Sequence, residues 1–251
     1  MRALVLCAGY GTRLGDLTRE RPKPMLPLGD DALIGHTLRH LAAQGFDEVA
    51  INLHFMPELI ERHVGDGSRY GVAVRYAREP ALLGTAGAVR NLADFLGAHD
   101  DFLVLYGDLL LDEDLAAMMG QHRARGAAAT LLLHQRAGSN SLVQMGDDGR
   151  ITGFVERPDE ATRARMAYPW VNSGAQVLHR SMIARIPTEG AADLPRDVYA
   201  RAVGDAAIYG RPLTGYRCAI DSPARYEEAR AALADGRYRG GRRRDRGPEG
   251  T

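Results

Sequence analysis

A glycine-rich segment near the beginning of this 251-residue chain contains one positively charged side chain and is followed by another. The segment GYGTR, residues 9–13, comes directly after a short apolar run, and Lys23 stands ten residues beyond Arg13. Glycines let a phosphate approach the backbone closely, and successive N–H groups can then cradle an anion. With Arg13 and Lys23 beside it, such a cradle suits a ligand with several phosphates, although a plain tight turn would also account for the glycines.

Lys23 is the only lysine of the chain, and arginine supplies every other fixed positive charge. An ammonium group is a compact point charge with three rotatable donors, whereas a guanidinium group is a planar fork. A proline on each side of Lys23 stiffens the segment and restricts the direction of the side chain. We therefore expect this position to need an ammonium group that contacts a phosphate, with chance retention of the lysine as the alternative.

Two aspartates stand where predicted strands end. Asp108 follows the apolar run FLVLYG, and Asp221 follows YRCAI. Ligands of open α/β sheets bind at the carboxyl ends of strands, and carboxylates there can hold a hard cation such as Mg²⁺. Asp108 could instead be the N-cap of the next helix, a role for which Asp112 is better placed, and Asp221 could be a turn residue. Together the two acids predict a magnesium site.

Apolar strands alternate with segments of helical periodicity through the first half of the chain. The predicted strands are residues 2–9, 47–53, 72–77, 101–108 and 127–135. The predicted helices are residues 32–45, 57–65, 84–97 and 112–126. Strands that alternate with helices of this length predict an α/β fold with a parallel, doubly wound sheet.

After residue 138 the pattern changes to shorter β segments. Residues 141–158 predict a hairpin with an Asp-Gly turn, and residues 171–180 predict another strand. Residues 215–236 predict a strand, a Ser-Pro turn and an amphipathic helix. This part of the chain is therefore expected to be a smaller, β-rich extension of the sheet.

The composition is that of an ordinary globular protein, with 45% hydrophobic and 25% charged residues and a formal net charge of zero. A neutral chain without an apolar run of roughly 20 residues is expected to bind neither nucleic acid nor a membrane. The sequence lacks a signal-peptide pattern, so it predicts a cytoplasmic protein in which Cys7 and Cys218 are buried free thiols. We expect residues 1–235 to form a single domain and residues 236–251, rich in glycine and arginine, to form a disordered tail.

Several motifs, in order along the chain, resemble those of the sugar-1-phosphate nucleotidyltransferases, most of all the mannose- and heptose-1-phosphate guanylyltransferases. The resemblance runs from about residue 2 to residue 232. Its motifs are AGYGTRLGDLTRERPKPMLPLG (8–29), EPALLGTAGAV (79–89), YGD (106–108), FVERP (154–158), VNSGAQVL (171–178) and GYRCAIDSPARYEEA (215–229). The resemblance implies a Rossmann-like, GT-A-like sheet that is doubly wound and mostly parallel, with a small β-rich part that binds the sugar.

The resemblance also implies a reaction, in which a sugar 1-phosphate oxygen attacks the α-phosphorus of a nucleoside triphosphate and pyrophosphate leaves. Arg13 would then bind the leaving pyrophosphate, Lys23 would bridge the two phosphates that react, and Asp108 and Asp221 would hold Mg²⁺. The residues that would bind the nucleotide are Ala8, Gly9, Gly11, Thr12, Glu79, Gly84 and Thr85. The residues that would bind the sugar are Tyr106, Glu156, Arg157 and Asn172. A surface acid and a polar strand residue are the alternatives for Glu156 and Asn172.

Three departures from the family pattern concern the sugar. Arg157 stands where the family has lysine, Ser141 where many members have glycine, and Gly15-Asp16 where the family often has proline. These departures are consistent with mannose or a heptose as the sugar, in place of plain glucose. If Glu79 faces the base, its acceptor-only carboxylate suits guanine, which has two adjacent donors on one edge. We therefore expect GTP first and ATP second, unless Glu79 is a structural residue.

Three other functions compete with this interpretation. A related glycosyltransferase would use a D-x-D pair, and Asp112 and Asp114 have that spacing, but its chemistry has no place for Lys23. A non-catalytic nucleotide-sugar sensor would be expected to lose the catalytic charges that this chain keeps. An NAD-binding oxidoreductase is excluded because Leu14 stands where the dinucleotide fingerprint needs its third glycine. The expected partners are the two substrates, and a homodimer remains open.

Overall fold

A computed structural model describes residues 1–136, 141–165 and 170–240 of the chain. The strands are β1 (Arg2–Leu6), β2 (Pro27–Leu28), β3 (Asp31–Ala32), β4 (Glu48–Leu53), β5 (Ala73–Arg78), β6 (Asp101–Tyr106), β7 (Leu109–Asp112), β8 (Ala129–Gln135), β9 (Ser141–Met145), β10 (Ile151–Glu156), β11 (Trp170–His179), β12 (Ile208–Pro212) and β13 (Tyr216–Ala219). The helices are α1 (Leu33–Ala43), α2 (Pro57–Val64), α3 (Gly84–Asn91), α4 (Ala93–Leu96), α5 (Leu115–Ala124), α6 (Glu160–Arg165), α7 (Ala200–Ala202) and α8 (Pro223–Ala234).

Over the residues described, the main sheet has nine strands, and its central path runs in the order β10-β9-β11-β6-β1-β4-β5. The four strands β6, β1, β4 and β5 are parallel. The long strand β11 is antiparallel to β6 and also pairs with β8, which in turn pairs with β12 in parallel. The predicted α/β fold with a mostly parallel sheet is therefore confirmed, and the predicted hairpin is the antiparallel pair β9–β10.

Apolar side chains of the parallel strands alternate between two cores because successive strand residues point to opposite faces. In β1, Ala3 and Val5 pack with α1, α2 and α5 on one face of the sheet. Leu4 packs with α3 and α4 on the other face. Helices therefore cover both faces, and the loops that follow the parallel strands share one edge of the sheet.

The helix predicted over residues 112–126 begins later than expected. Asp112 pairs with Tyr216 as the last residue of β7, so it cannot cap the helix as predicted. Asp114 is the N-cap of α5, and its carboxylate accepts a hydrogen bond from the Ala117 N–H at 2.7 Å. The helix predicted over residues 84–97 is divided at Leu92 into α3 and α4.

The predicted boundary of the folded region at residue 235 is too early. Tyr238 is only 3% exposed and packs with Leu14, Leu28 and Tyr226 under α8. Residues 241–251 of the predicted tail lie outside the described residues. The two cysteines are buried and free as predicted. Among the described residues, no helix has the length and apolar character needed to cross a membrane.

Candidate active site

The loops after the parallel strands enclose a cavity of about 290 Å³ at the carboxyl edge of the sheet. Each strand places one part of the wall, because parallel strands end at the same edge. The predicted site residues that line this cavity are Ala8, Gly9, Gly11, Lys23, Glu79, Gly84, Thr85, Tyr106 and Asp108. Sequence reasoning missed several further lining residues, among them Asn52 and Asp193.

Asn52 ties together the loops that follow three neighbouring strands. Its Oδ1 accepts a hydrogen bond from the Cys7 N–H at 2.9 Å, and its Nδ2 donates to Glu79 Oε1 at 2.8 Å. Glu79 Oε2 accepts in turn from the Leu83 N–H at 3.1 Å. Buried polar groups that are all hydrogen-bonded hold their surroundings rigidly. The one available signal was a lone asparagine in the apolar run EVAINL.

Glu79 lines the cavity, but its carboxylate is already hydrogen-bonded to other groups of the protein. Both of its carboxylate oxygens accept hydrogen bonds, and the side chain is buried. The side chain therefore holds the loop before α3. The inference from Glu79 to guanine loses its support, because the inference assumed a carboxylate available to the base.

A close backbone contact shapes the far wall of this cavity. Gly84 has φ +74°, and a Cβ there would lie 2.4 Å from the Ala192 carbonyl oxygen, so only glycine fits. The Thr85 N–H donates to Asp193 Oδ1 at 3.2 Å, and Thr85 Oγ1 accepts from the Leu194 N–H at 2.8 Å. Thr85 is more than a hundred residues from Asp193 and Leu194 in sequence, so local sequence patterns could not predict that Asp193 belongs to this wall.

Lys23 is held where the reacting phosphates are expected. Its Nζ lies 3.1 Å from Asp108 Oδ2, and the two side chains are 11% and 27% exposed. A single 3₁₀ turn, Lys23–Met25, fixes the backbone, and a Cβ on Gly11 would lie 3.4 Å from the lysine Cβ. The lysine is therefore confined on two sides and directed at the strand-end acid.

Gly107 allows Asp108 to reach that position. A Cβ at Gly107 would lie 2.6 Å from the Cys7 sulfur and 2.7 Å from the Leu6 carbonyl oxygen. The Gly107 N–H also donates to Leu6 O at 2.9 Å. The end of β6 thus lies directly against the end of β1, and the acid and the glycine-rich loop become neighbours.

A second cavity of about 190 Å³ shares Tyr106 and Asp108 with the first. The other predicted residues that line it are Arg13, Glu156, Asn172 and Asp221. Arg13 Nη1 lies 3.9 Å from Asp221 Oδ2. Each predicted catalytic cation therefore stands beside one of the two predicted metal-binding acids.

The β-rich part supplies the remaining wall of the second cavity. Burial raises the pKa of Glu156 to about 7. Asn172 Oδ1 accepts from the Gly174 N–H at 3.0 Å, and the Asn172 N–H donates to Ser141 Oγ at 3.0 Å. The hydroxyl at position 141 is therefore part of the local structure, and among the described residues none accepts a hydrogen bond from the Asn172 side-chain amide.

Two predicted residues line neither cavity, although each is next in sequence to a residue that does. Thr12 is exposed at the start of the 3₁₀ segment Thr12–Thr18, and Arg157 is exposed with φ +51°, a left-handed conformation uncommon for arginine. The side chains of the second cavity that sequence reasoning missed include three that carry nitrogen donors, His134, Arg136 and Arg217.

The acids of the second cavity suit a magnesium ion that is also bound by substrate. Mg²⁺ usually keeps several waters and takes one or two carboxylates together with substrate phosphates. Asp108 and Asp221 supply two carboxylates, and within the described residues no group of three or more histidine, cysteine or acidic side chains could hold a metal by itself. The D-x-D pair Asp112 and Asp114 lines neither cavity, which weighs against the glycosyltransferase alternative.

Comparison with known proteins identifies relatives over most of the chain. A family model described as nucleotidyl transferase matches residues 2–206. A mannose-1-phosphate guanylyltransferase of Mycobacterium tuberculosis is 32% identical over 93% of this chain and 65% of its own length. A UTP–glucose-1-phosphate uridylyltransferase of Synechocystis is 32% identical over 81% of this chain and 55% of its own length. The chain thus spans less than two thirds of these curated relatives.

Solved structures share the fold. A putative glucose-1-phosphate thymidylyltransferase from Bacillus anthracis superposes with a TM-score of 0.82 at 19% identity, covering 94% of this chain and 96% of that one. HddC from Yersinia pseudotuberculosis, crystallised with GMP-PN, has a TM-score of 0.75 at 18% identity, covering 92% and 99%.

Proposed function

The chain belongs to the nucleotidyl transferase family, and we propose that it joins a nucleoside triphosphate to a sugar 1-phosphate, forming a nucleotide-sugar and pyrophosphate. The observation that carries the proposal is the Lys23–Asp108 pair, because Lys23 lines the first cavity and Asp108 lines both. The first cavity would take the nucleotide and the second the sugar. Their shared boundary is where the α-phosphate would meet the sugar phosphate.

Position and charge would do most of the catalytic work. Backbone N–H groups of residues 9–13 and the Arg13 guanidinium would bind the β- and γ-phosphates. The ammonium of Lys23 would stabilise the negative charge that passes from the attacking oxygen to the leaving oxygen. Holding both reactants in one geometry lowers the entropic part of the barrier.

Asp108 and Asp221 would hold Mg²⁺ as the cofactor. When bound, such an ion neutralises phosphate charge and orients the attacking and leaving oxygens. These carboxylates also pair with Lys23 and Arg13, the two cations that would bind the phosphates. The same acids therefore serve as partners for the cations before substrate arrives.

Within this class we propose GTP as the first nucleotide and ATP as the second, with a sugar 1-phosphate of mannose or heptose type. The support for GTP is the likeness to mannose-1-phosphate guanylyltransferases, since Glu79 gives none. The uridylyltransferase relative makes UTP a necessary competitor in any test. We place the enzyme in the cytoplasm, in keeping with its expected substrates.

The test is pyrophosphate release by the purified protein with Mg²⁺. Each of ATP, CTP, GTP, UTP and dTTP would be paired with mannose, glucose and heptose 1-phosphates. The proposal expects at least one pair to release pyrophosphate stoichiometrically with nucleotide-sugar formation. Absence of product across the panel, from folded protein that still binds a nucleotide-sugar, would instead favour the non-catalytic sensor.

A further inference from the structure

Arg217 lines the second cavity, and within the described part of the chain it has no carboxylate in an ion pair with it. It lies on β13, where it pairs with Leu111 of β7, and its Nε donates to the Ser173 carbonyl oxygen at 3.0 Å. Among the ion pairs of the described residues, none involves Arg217. Asp108 is the carboxylate that acts on it electrostatically, and that carboxylate is already the partner of Lys23. Burial lowers the pKa of Arg217, which is the mark of a charge held away from water.

Two further nitrogen-bearing side chains stand on the same wall. His134 and Arg136 are two residues apart, at and just beyond the end of β8, and both line the cavity. His134 Nδ1 lies 2.9 Å from Ser173 Oγ, so Arg217 and His134 both contact Ser173. Burial, followed by the charges of Arg217 and Arg136, lowers the pKa of His134 to about 4, so this ring is neutral near pH 7.

These groups stand on the sugar side of the site. Arg13 and Lys23 lie beside the two metal-binding acids, where the reacting phosphates are expected. Arg217 and His134 instead contact Ser173, between Asn172 and Gly174 in β11. The remaining acid of this cavity is Glu156, which protonation neutralises in part near pH 7. Hydroxyl groups of a neutral sugar would leave the partly buried guanidinium without an anion, an unfavourable arrangement.

Given the proposed function, we propose that the preferred sugar 1-phosphate carries a second acidic group, a carboxylate or a phosphate, which binds Arg217 and Arg136. A guanidinium binds either group through paired, charge-assisted hydrogen bonds, and Arg136 at the rim adds a second cation. Arg217 and Arg136 are then specificity-determining residues, and the 1-phosphate remains with Lys23.

The test compares the binding of three ligands by calorimetry with Mg²⁺ present. Glucose 1-phosphate is the neutral sugar, glucuronic acid 1-phosphate adds a carboxylate, and glucose 1,6-bisphosphate adds a phosphate. We expect at least one acidic ligand to bind about tenfold or more tightly than glucose 1-phosphate, as charge-assisted hydrogen bonds imply. The ligand with the increased affinity identifies whether the site binds a carboxylate or a phosphate.

Variants assign the gain to the arginines. Arg217→Gln and Arg136→Gln should each remove most of the preference for the acidic ligand and leave glucose 1-phosphate binding within about threefold. Arg136 is exposed, so its replacement tests the site even if Arg217→Gln does not fold. Arg185→Gln, which removes an exposed arginine paired with Asp205, is the control and should change neither affinity.

Three results would overturn the inference: equal affinity for all three ligands, an equal loss for all three in Arg217→Gln, or no binding of any of them. The second result would mean that Arg217 holds the 1-phosphate. Pyrophosphate release separates the two proposals. Turnover with neutral sugars alone would support the proposed function and refute the inference that the sugar carries a second acidic group. Arginine-dependent binding of an acidic sugar phosphate without turnover of any substrate would support the second acidic group and refute the proposed function.

Discussion

Replacing Lys23 by methionine should separate catalysis from stability. The change removes the ammonium group but keeps most of the side-chain volume. At the observed 3.1 Å from Asp108, Coulomb's law gives about 5 kcal/mol at an effective dielectric of about 20 and about 1 kcal/mol in water. Because Asp108 is 27% exposed, water can hydrate the carboxylate that the variant leaves behind. We therefore expect the free energy of unfolding to fall by only about 1 kcal/mol.

The effect of the same change on rate should be much larger. A positioned donor that meets charge developing in the transition state contributes about 10²–10³ in kcat, which is about 3–4 kcal/mol. The assay is pyrophosphate release at saturating substrates, with denaturant unfolding measured on the same preparations. Lys23→Arg keeps the charge but exchanges a compact donor for a planar fork in a confined space, so it should be slowed by about tenfold or more.

Arg21→Met is the matched control for Lys23→Met. Arg21 is an exposed cation of the same segment that lines neither cavity of the site. Its replacement should leave both rate and stability close to those of the unmodified protein. If Lys23→Met kept more than a third of the activity, the assignment of the reacting centre to this lysine would be wrong. A loss of rate matched by an equal loss of stability would mean that the lysine is structural.

Three more predictions concern the residues that support the site. Glu113 is fully buried and accepts hydrogen bonds from the loop before β13. Glu113→Ala should therefore lower the free energy of unfolding, measured in urea, by about 3–5 kcal/mol. A loss of less than about 1 kcal/mol would contradict this structural role. The folded-state pKa of Glu156 is raised from 4.5 to about 7, so the protein should lose stability relative to Glu156→Gln as the pH rises from about 4.5 to about 7. After allowance for its partial exposure the difference is about 1–2 kcal/mol, and parallel stability curves for the two proteins would refute it. Gly107→Ala forces a Cβ against the Cys7 sulfur and should lower the free energy of unfolding, measured by thermal unfolding, by about 1–3 kcal/mol. Gly9→Ala is the control, because its Cβ meets nothing within 4 Å, and it should unfold as the unmodified protein does.

The alternation of strands and helices was predictable because local apolar periodicity reflects burial on one or two faces. The same reasoning placed the glycine-rich loop, Lys23 and Asp108 at one edge of the sheet, since parallel strands end together. Its errors at Asp112 and at the boundary near residue 235 have a common physical cause. Asp112 is drawn into β7 by pairing with Tyr216, and Tyr238 is held by packing against α8, and both partners are distant in sequence.

Tertiary contacts alone decided which polar side chains line the two cavities and which are held by other groups of the protein. Glu79 fits a base-reading role by type and position, but hydrogen bonds to Asn52 and to the Leu83 N–H assign it to the loop. Asp193 joins the first cavity through Thr85, and Arg217 joins the second through Ser173. Sequence patterns record the local spacing of residue types, so they determined the sheet, the glycine-rich loop and the lysine at its side. The partners of buried polar groups depend on strand register and on side-chain direction across the sheet, so only the tertiary structure could decide them.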